Sequence, residues 1–446
     1  MTPASTNIAA PQAPRAGRSR LFLAVFSLVA LVQILSLIWI GNGLGPLSDT
    51  HSEADAIRSA EAYLKDGLTS HHGLPRILHG QRFPDVGTVK DHVDKDGQVP
   101  PEFRRGFPPE LAHRDAWVYT HYPPGPNLLC GIFAHLFGMD RLWLWRLLPV
   151  SIGLAATAFF MWTLMSLFGA WRGAFIAAAC AMVPRVITQM PGLHCHGYTF
   201  AVLLVQISLT LHLFWGANGL RPWQWGMLLA LGFLQGWLTF DQFFVLSFVA
   251  VPLWLMRRTE GVTPPIRSVC LAVGLSLLSF GAGHALHFLQ VAAELGGMAP
   301  ALAEFRNTAV ERAGTDGHHS FLSYLAKAAW LYLRELLKPN SLQFGPFLML
   351  AVVAALPVLM FRSTRFTLHF WRKPAPVSFI LAWPGSTGIR TAVVAALAVS
   401  MAWMFVMPQH TVGNSHITIG NFFAFHFFLI LTFAKSLRIE RRLVEK

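Results

Sequence analysis

The chain alternates long apolar stretches with short polar joints, and one joint is much longer than the rest. Residues 21–40 form a predominantly apolar run of 20 residues with no charged side chain, enough for a helix to cross a hydrocarbon layer of about 30 Å. Further apolar runs occupy residues 128–137, 142–168, 173–190, 198–215, 223–240, 243–256, 268–291, 341–360, 391–407 and 419–433. Basic residues gather in particular joints. One holds Arg257, Arg258 and Arg267, another holds Arg362, Arg365, Arg372 and Lys373, and the tail holds Lys435, Arg438, Arg441 and Arg442. The positive-inside rule puts these, and the leader with Arg15, Arg18 and Arg20, on the cytoplasmic side.

Parity then decides how the shortest run is read. An odd number of spans must separate the outer loop from the Arg257-Arg258 joint. Apolar runs of about 10–14 residues more often lie at a membrane surface than cross it, so residues 128–137 are expected as a helix on the outer surface. The result is an all-α polytopic membrane protein of about ten transmembrane helices. Amphipathic helices are expected in its two long outer-side loops, 41–140 and 292–340, among them residues 54–65 and 320–337. Both termini are expected to be cytoplasmic, at an inner (plasma) membrane. Residues 1–20 read as a disordered leader, and no small-x-small cleavage site follows Ile40, which predicts an uncleaved anchor. The organisation expected is that leader, a membrane module over 21–258 and a C-terminal membrane module over 259–446.

Composition agrees with this pattern and excludes others. The chain is 54% hydrophobic and 13% charged, against about 25% charged in soluble domains. Its net charge of +13 follows from the basic joints and gives no reason to expect nucleic acid. The four cysteines, Cys130, Cys180, Cys195 and Cys270, have no metal-like spacing and predict no disulfide framework.

Twelve of the 22 acidic residues fall within residues 41–125. The first three, Asp49, Glu53 and Asp55, follow the first span by one to two helical turns and precede an amphipathic segment. They can serve as ordinary helix caps. As chemistry, one of them can act as the general base that takes a proton from an attacking hydroxyl, or can hold a divalent cation beside a phosphate. Other polar residues are placed on the same outer face by the span count: His194 and His196, Asp241, His410 and His416. Asp241 lies between two apolar runs with no basic sequence neighbour, where an ionisable group is costly and usually functional. Arg146 and Arg185 lie inside apolar runs near their outer ends; they either snorkel or bind a lipid phosphate bidentately. The histidines are read as substrate or phosphate contacts, with no metal site, because no His-x-x-x-His or Glu-x-x-His pair is present. No phosphate-cradling glycine loop, nucleophile elbow or dinucleotide fingerprint occurs.

The order of these features resembles the GT-C superfamily of integral-membrane glycosyltransferases, which includes protein O-mannosyltransferases, the lipid A aminoarabinose transferase and oligosaccharyltransferase catalytic subunits. The likeness runs from the first span to about Arg258. It is carried by the acidic cluster Asp49 to Asp55, Ala60-Glu61-Ala62-Tyr63-Leu64-Lys65-Asp66-Gly67, Tyr122-Pro123-Pro124-Gly125-Pro126, Leu136-Phe137-Gly138, Arg146-Leu147-Leu148-Pro149, Leu167-Phe168-Gly169 and Val183-Pro184-Arg185. The resemblance implies that the acidic residue opening the first outer loop is the catalytic base or orients the acceptor, here Asp49 with Glu53 and Asp55 behind it. Counted back from Gly67, the family's Asp-Glu pair falls on Ser52-Glu53. Where relatives often carry a second acidic residue in the next outer loop, this chain has His194 and His196. The implied activity is inverting transfer of a sugar from a polyprenyl-phosphate donor to an acceptor hydroxyl on the outer face. Arg146, Arg185, His194, His196, Asp241, His410, His416 and Tyr122 would line the substrate site. No cofactor is implied beyond a divalent cation held by the carboxylates, and the acceptor (lipid, glycan or protein) stays open. Two alternatives remain at this stage: a transporter or flippase of a lipid-linked or anionic substrate, and a non-catalytic scaffold of envelope assembly. The lack of an internal repeat counts against the transporter.

Overall fold

The computed structural model describes residues 15–45, 50–78, 112–113, 116–216, 219–239, 245–262, 265–313, 320–337, 364–370, 377–383, 387–413 and 422–441. Helices dominate. In chain order they are α1 (Arg15–Ile40), α2 (Thr50–Asp66), α3 (Gly125–Phe137), α4 (Leu142–Phe168), α5 (Ala170–Ala181), α6 (Pro184–Gln189), α7 (Cys195–Trp215) and α8 (Pro222–Leu238). There follow α9 (Val245–Thr259), α10 (Ile266–Glu294), α11 (Met298–Ala313), α12 (Phe321–Leu337), α13 (Thr387–Ser400), α14 (Ala402–Val406), α15 (Pro408–Gly413) and α16 (Phe422–Ser436). Helix α1 begins at Arg15, so the end of the segment expected as disordered is helical. The 320–337 prediction and the short run before Gly138 appear as α12 and α3.

Among the described residues four helices are long and apolar enough to cross a membrane, over Gly17–Ile40, Leu142–Phe168, Cys195–Trp215 and Ile266–Glu294. The chain is a multi-pass membrane protein. The run expected as one span over 173–190 is divided into α5 and α6. Pro184 causes the break: it occupies the first turn of α6, where its missing N–H costs nothing. Residues 341–360, expected as a span, lie outside the described residues.

Two ends of the bundle are chemically distinct. Arg18 near the start of α1 donates to Ser166 Oγ near the end of α4, while Arg146 near the start of α4 reaches Gly41 just past the end of α1. These two helices are therefore antiparallel, with the acidic loop at one end and basic residues at the other. The basic end gains something the all-helical expectation lacked. Strands β4 (Thr364–Phe370), β5 (Val377–Trp383) and β6 (Leu437–Arg441) pair antiparallel, Thr364 opposite Trp383 and Val377 opposite Arg441. Two segments assigned to one side by charge alone are thus hydrogen-bonded to each other. At the other end β1 (Arg76–Leu78), β2 (Ala112–His113) and β3 (Ala116–Val118) form a second small sheet, in the order β1-β3-β2.

The core lies between α4, α5, α7 and α16, with Phe160, Ile176, Leu204, Ile207, Phe427 and Leu431 fully buried. Helices α8 and α10 pack backbone to backbone. A Cβ on Gly236 would lie 2.1 Å from Phe280 O, and one on Gly283 would lie 2.5 Å from Phe233 O. Such small-residue seams drive helix association where there is no water to expel. Gln206 of α7 donates to Gln235 of α8 at 2.8 Å inside the bundle, so each amide finds a partner there.

Candidate functional site

The acidic end is organised by one buried ion pair. Glu53 lies in the first turn of α2 and Arg146 in the second turn of α4, and both side chains are 0% exposed. Arg146 Nη1 meets Glu53 Oε1 at 2.5 Å and also donates to Pro191 O at 2.8 Å. Its Nε donates to Gly41 O at 3.2 Å, and its Nη2 donates to Gly43 O. Glu53 is equally engaged, accepting from Gly45 N at 2.7 Å and Leu193 N at 3.0 Å. One guanidinium and one carboxylate thus tie together the exit of α1, the start of α2, the start of α4 and the turn before α7. Only arginine's planar fork of donors can serve that many acceptors at once.

This arrangement gives both residues structural partners. The donors of Arg146 go to Glu53 and three backbone carbonyls, and backbone N–H groups and Arg146 engage both oxygens of Glu53. Burial alone would push the Glu53 carboxyl up, but the Arg146 guanidinium, His194 and the Gly45 hydrogen bond hold it below its ordinary value. A depressed carboxylate contributes stability that is present above the unfolded value and lost as pH falls through the folded one. The protein should therefore lose thermal stability on acidification below the ordinary carboxylate value of 4.5. In Glu53→Gln that acid-dependent part should be missing, so the wild-type and variant unfolding midpoints converge as pH drops. Parallel pH curves for the two would refute the assignment.

The third candidate, Asp55, is accessible but occupied. Its Oδ1 lies 3.0 Å from Arg58 Nη1, with the Asp55 side chain 18% exposed and Arg58 buried. Its backbone carbonyl accepts from Ser59 Oγ, which in turn accepts from Asn127 Nδ2 at 2.9 Å. That chain joins α2 to the start of α3. Asp49, Asp241 and His416 lie outside the described residues. Arg185 and His410 are placed only by backbone, on α6 and α15.

His194 and His196 meet at the start of α7, as their spacing suggested. His194 is the N-cap residue, its Nδ1 accepting from His196 N at 3.2 Å. Both rings are buried, edge to face, with centroids 4.9 Å apart. Cys195 stands between them, and one donor atom from each of the three lies within 4.8 Å of the others. Among the described residues, these three are the ones grouped closely enough to hold a metal ion. Two imidazoles and a thiolate suit a soft divalent ion such as zinc and not magnesium. Cys130, below this turn, donates to Leu193 O at 3.2 Å, and burial pushes its thiol up, so it acts as a hydrogen-bonding wedge. All four cysteines are free.

Tyr122 belongs to a neighbouring cluster. Its ring stacks on Tyr119 (6.2 Å, 9°), and Arg312 Cζ lies 4.7 Å from the Tyr122 ring centre. Glu304 of α11, nearly buried, accepts from Thr120 Oγ1 and His121 Nε2, each at 2.8 Å. Glu294, at the end of α10, pairs with His71 Nδ1 at 2.8 Å. His71 and His72 both hold left-handed backbone (φ 52° and 54°), a conformation costly for non-glycine residues. Gln290 Nε2 donating to His72 O and Tyr63 OH donating to Gly73 O fix the turn. Sequence reading missed these partners because Glu294 and Glu304 sit more than 180 residues from the groups they hold. Glu294 was set apart only by its position just past an apolar run, and Glu304 by nothing in its local sequence.

No family model and no curated protein matches the chain. Among solved structures it is similar to the archaeal oligosaccharyltransferase AglB from Archaeoglobus fulgidus in complex with an inhibitory peptide and a dolichol-phosphate. That likeness has 13% identity and a TM-score of 0.46, over 94% of this chain and 50% of that one. A structure of the Archaeoglobus fulgidus oligosaccharyltransferase in complex with Zn and sulfate gives 14% identity and 0.45, over 92% and 48%. ArnT from Cupriavidus metallidurans bound to undecaprenyl phosphate gives 14% identity and 0.41, over 95% and 78%. The chain spans about half the length of the oligosaccharyltransferases.

Proposed function

We propose that the protein is a membrane glycosyltransferase that moves a sugar from a polyprenyl-phosphate donor to an acceptor hydroxyl, with inversion, at the acidic end of the bundle. The observation that carries this reading is the Glu53–Arg146 clamp. A buried ion pair is a costly way to stabilise a fold, and this one ties the exit of α1 to the start of α2, on either side of Asp49 in the sequence. Glu53 holds the N–H of Gly45, four residues before Asp49 in the sequence, and α2 starts at Thr50, the residue after it. Asp49 is the proposed base, taking the proton as the acceptor oxygen attacks the anomeric carbon. The bond from that carbon to the phosphate oxygen breaks, and polyprenyl phosphate leaves with the electron pair. With Arg146 engaged elsewhere, phosphate contact falls to Arg185, His194, His196, His410 and His416. Asp241 and Tyr122 are proposed to line the sugar. A carrier whose tail stays in the bilayer suits a site at the rim of membrane helices.

The test is transfer from radiolabelled polyprenyl-phosphate sugars in membranes. Asp49→Asn should lower turnover by about 10²–10⁴-fold, the usual share of a general base. Asp55→Asn should lower it by less than about tenfold. If Asp55→Asn alone abolishes transfer, the base is Asp55. If both variants retain full transfer, the carboxylate mechanism is wrong. Movement of the carrier lipid across proteoliposomes with no covalent change would replace the enzyme reading with transport.

A further inference from the structure

Helix α12 exposes an apolar stripe that the proposed reaction does not use. It packs on α15, which also packs on α11. Helix α11 follows α10 after a short turn and is tied through Glu304 to Thr120 and His121. These contacts place α12 at the acidic end of the bundle. Its inner face belongs to the main core, where Ala328 is fully buried and Leu325 and Ala329 pack beside it. The other face is bare. Leu322 is 72% exposed, Trp330 61% and Leu333 48%, and Ala326 between them is exposed as well.

Helix geometry puts these residues in order. At about 100° per residue, Leu322, Ala326, Trp330 and Leu333 share an arc of about 80°. One edge of the arc adjoins Ala329 and Leu325, so apolar surface continues from the bundle core onto the exposed stripe. The other edge is basic: Lys327 and Arg334, both exposed, lie about 40–60° beyond Trp330. Lys327 Nζ stands 5.8 Å from the centre of the Tyr324 ring, back toward the bundle. Cations gathered along one edge of an apolar stripe suit a helix lying in the plane of a membrane surface, with its apolar face among acyl chains. The basic stems then carry their charges up to the phosphates. A protein groove gives no reason for that one-sided order. Two other exposed tryptophans, Trp39 at the end of α1 and Trp143 at the start of α4, belong to the same end of the bundle. Tryptophans in such positions mark the headgroup level of a bilayer. Helix α12 is not one of the four helices long and apolar enough to cross a membrane, so its stripe is explained at the surface.

We propose that α12 is seated in the lipid leaflet at the acidic end, with Leu322, Ala326, Trp330 and Leu333 among the acyl chains and Lys327 at the level of anionic headgroups. The placement holds whether or not the protein transfers a sugar. The full-length protein in nanodiscs of phosphatidylcholine and phosphatidylglycerol tests it, with a photoreactive diazirine placed high on the acyl chain of either lipid. Peptide mass spectrometry then locates the adducts. Leu322, Trp330 and Leu333 should be labelled, and Tyr324 and Ala328 on the inner face should not. Leu31 and Ile38, on the exposed side of α1, report that the probe reaches the protein. Labelling of α1 with none on α12 overturns the proposal. Labelling of α12 should favour phosphatidylglycerol, and Lys327→Gln should lower that preference about fivefold, the share of one basic side chain at a charged membrane surface. An unchanged preference overturns the headgroup contact. The competing occupant is a second copy of the chain. If native mass spectrometry shows a dimer that Trp330→Ser dissociates, and α12 stays unlabelled, the stripe is a protein interface and the lipid assignment fails. Should Lys327→Gln or Trp330→Ser not fold, the labelling pattern of the wild-type protein decides alone, since it requires no substitution.

Discussion

Arg146→Met should be among the most damaging single substitutions in the protein, costing about 3–5 kcal/mol, the usual loss when one partner of a buried ion pair is removed. The reason lies in what is left behind. Glu53 would stay 0% exposed with its strongest counter-charge gone, and the carbonyls of Gly41, Gly43 and Pro191 would lose their donor together. Protonation of Glu53 limits the charge penalty but cannot restore those three bonds. Arg146→Lys should fall between wild type and Met, since an ammonium group keeps the charge but cannot reach four separated acceptors. Glu53→Gln should be milder than Arg146→Met, because its amide oxygen can still accept from Gly45 N or Leu193 N. Thermal unfolding of the detergent-solubilised variants decides the order. If Arg146→Met unfolds at the wild-type temperature, the clamp is not what holds this end of the bundle together.

How much of this was legible beforehand depended on whether the deciding contact was local. Helices α4, α7 and α10 could be placed from apolar run length, because crossing a membrane requires about 20 residues whatever they pack against. The short run before Gly138 is a helix of 13 residues, α3, as its apolar length implied. The break between α5 and α6 was readable from Pro184 but was hidden by the continuous hydrophobicity around it. The β4 segment, Thr364-Arg365-Phe366-Thr367-Leu368-His369-Phe370, alternates polar and apolar residues, a strand signal overlooked inside a basic joint. The site behaved differently. That Glu53 and Arg146 both mattered was visible from their placement; that each consumes the other was not, since 93 residues separate them. A residue's type and position suggest that it is special, but whether its donors are free depends on contacts that local sequence does not encode. That is why two expected reactive groups turned out to be the brace of the site.

The same brace predicts a second large effect, at a residue with no side chain. Gly197 sits in the first turn of α7, against the turn that leads into it. A Cβ added there would lie 2.1 Å from Gly192 O, far inside contact distance, and the obstacle is backbone rather than a flexible side chain. In Gly197→Ala the 190–194 turn must therefore move outward, at a cost of about 1–3 kcal/mol typical of overpacking. That turn delivers Pro191 O to Arg146, Leu193 N to Glu53 and Leu193 O to Cys130, and it carries His194. Displacement by about an ångström from a productive geometry can cost about 10²-fold in rate, so Gly197→Ala should lose transfer activity well beyond its loss of stability. Gly153→Ala provides the first comparison. Its Cβ would press on Met190, a fully buried side chain at the start of the same turn, so activity should fall there too, through a side chain rather than the backbone. Gly226→Ala provides the second, since nothing lies within 4 Å of its added methyl group, and it should be neutral or slightly stabilising. Turnover and unfolding midpoint measured together for the three variants separate a strained turn from a general intolerance of alanine. A Gly197→Ala protein with wild-type turnover would show that the turn does not set the geometry of the reaction.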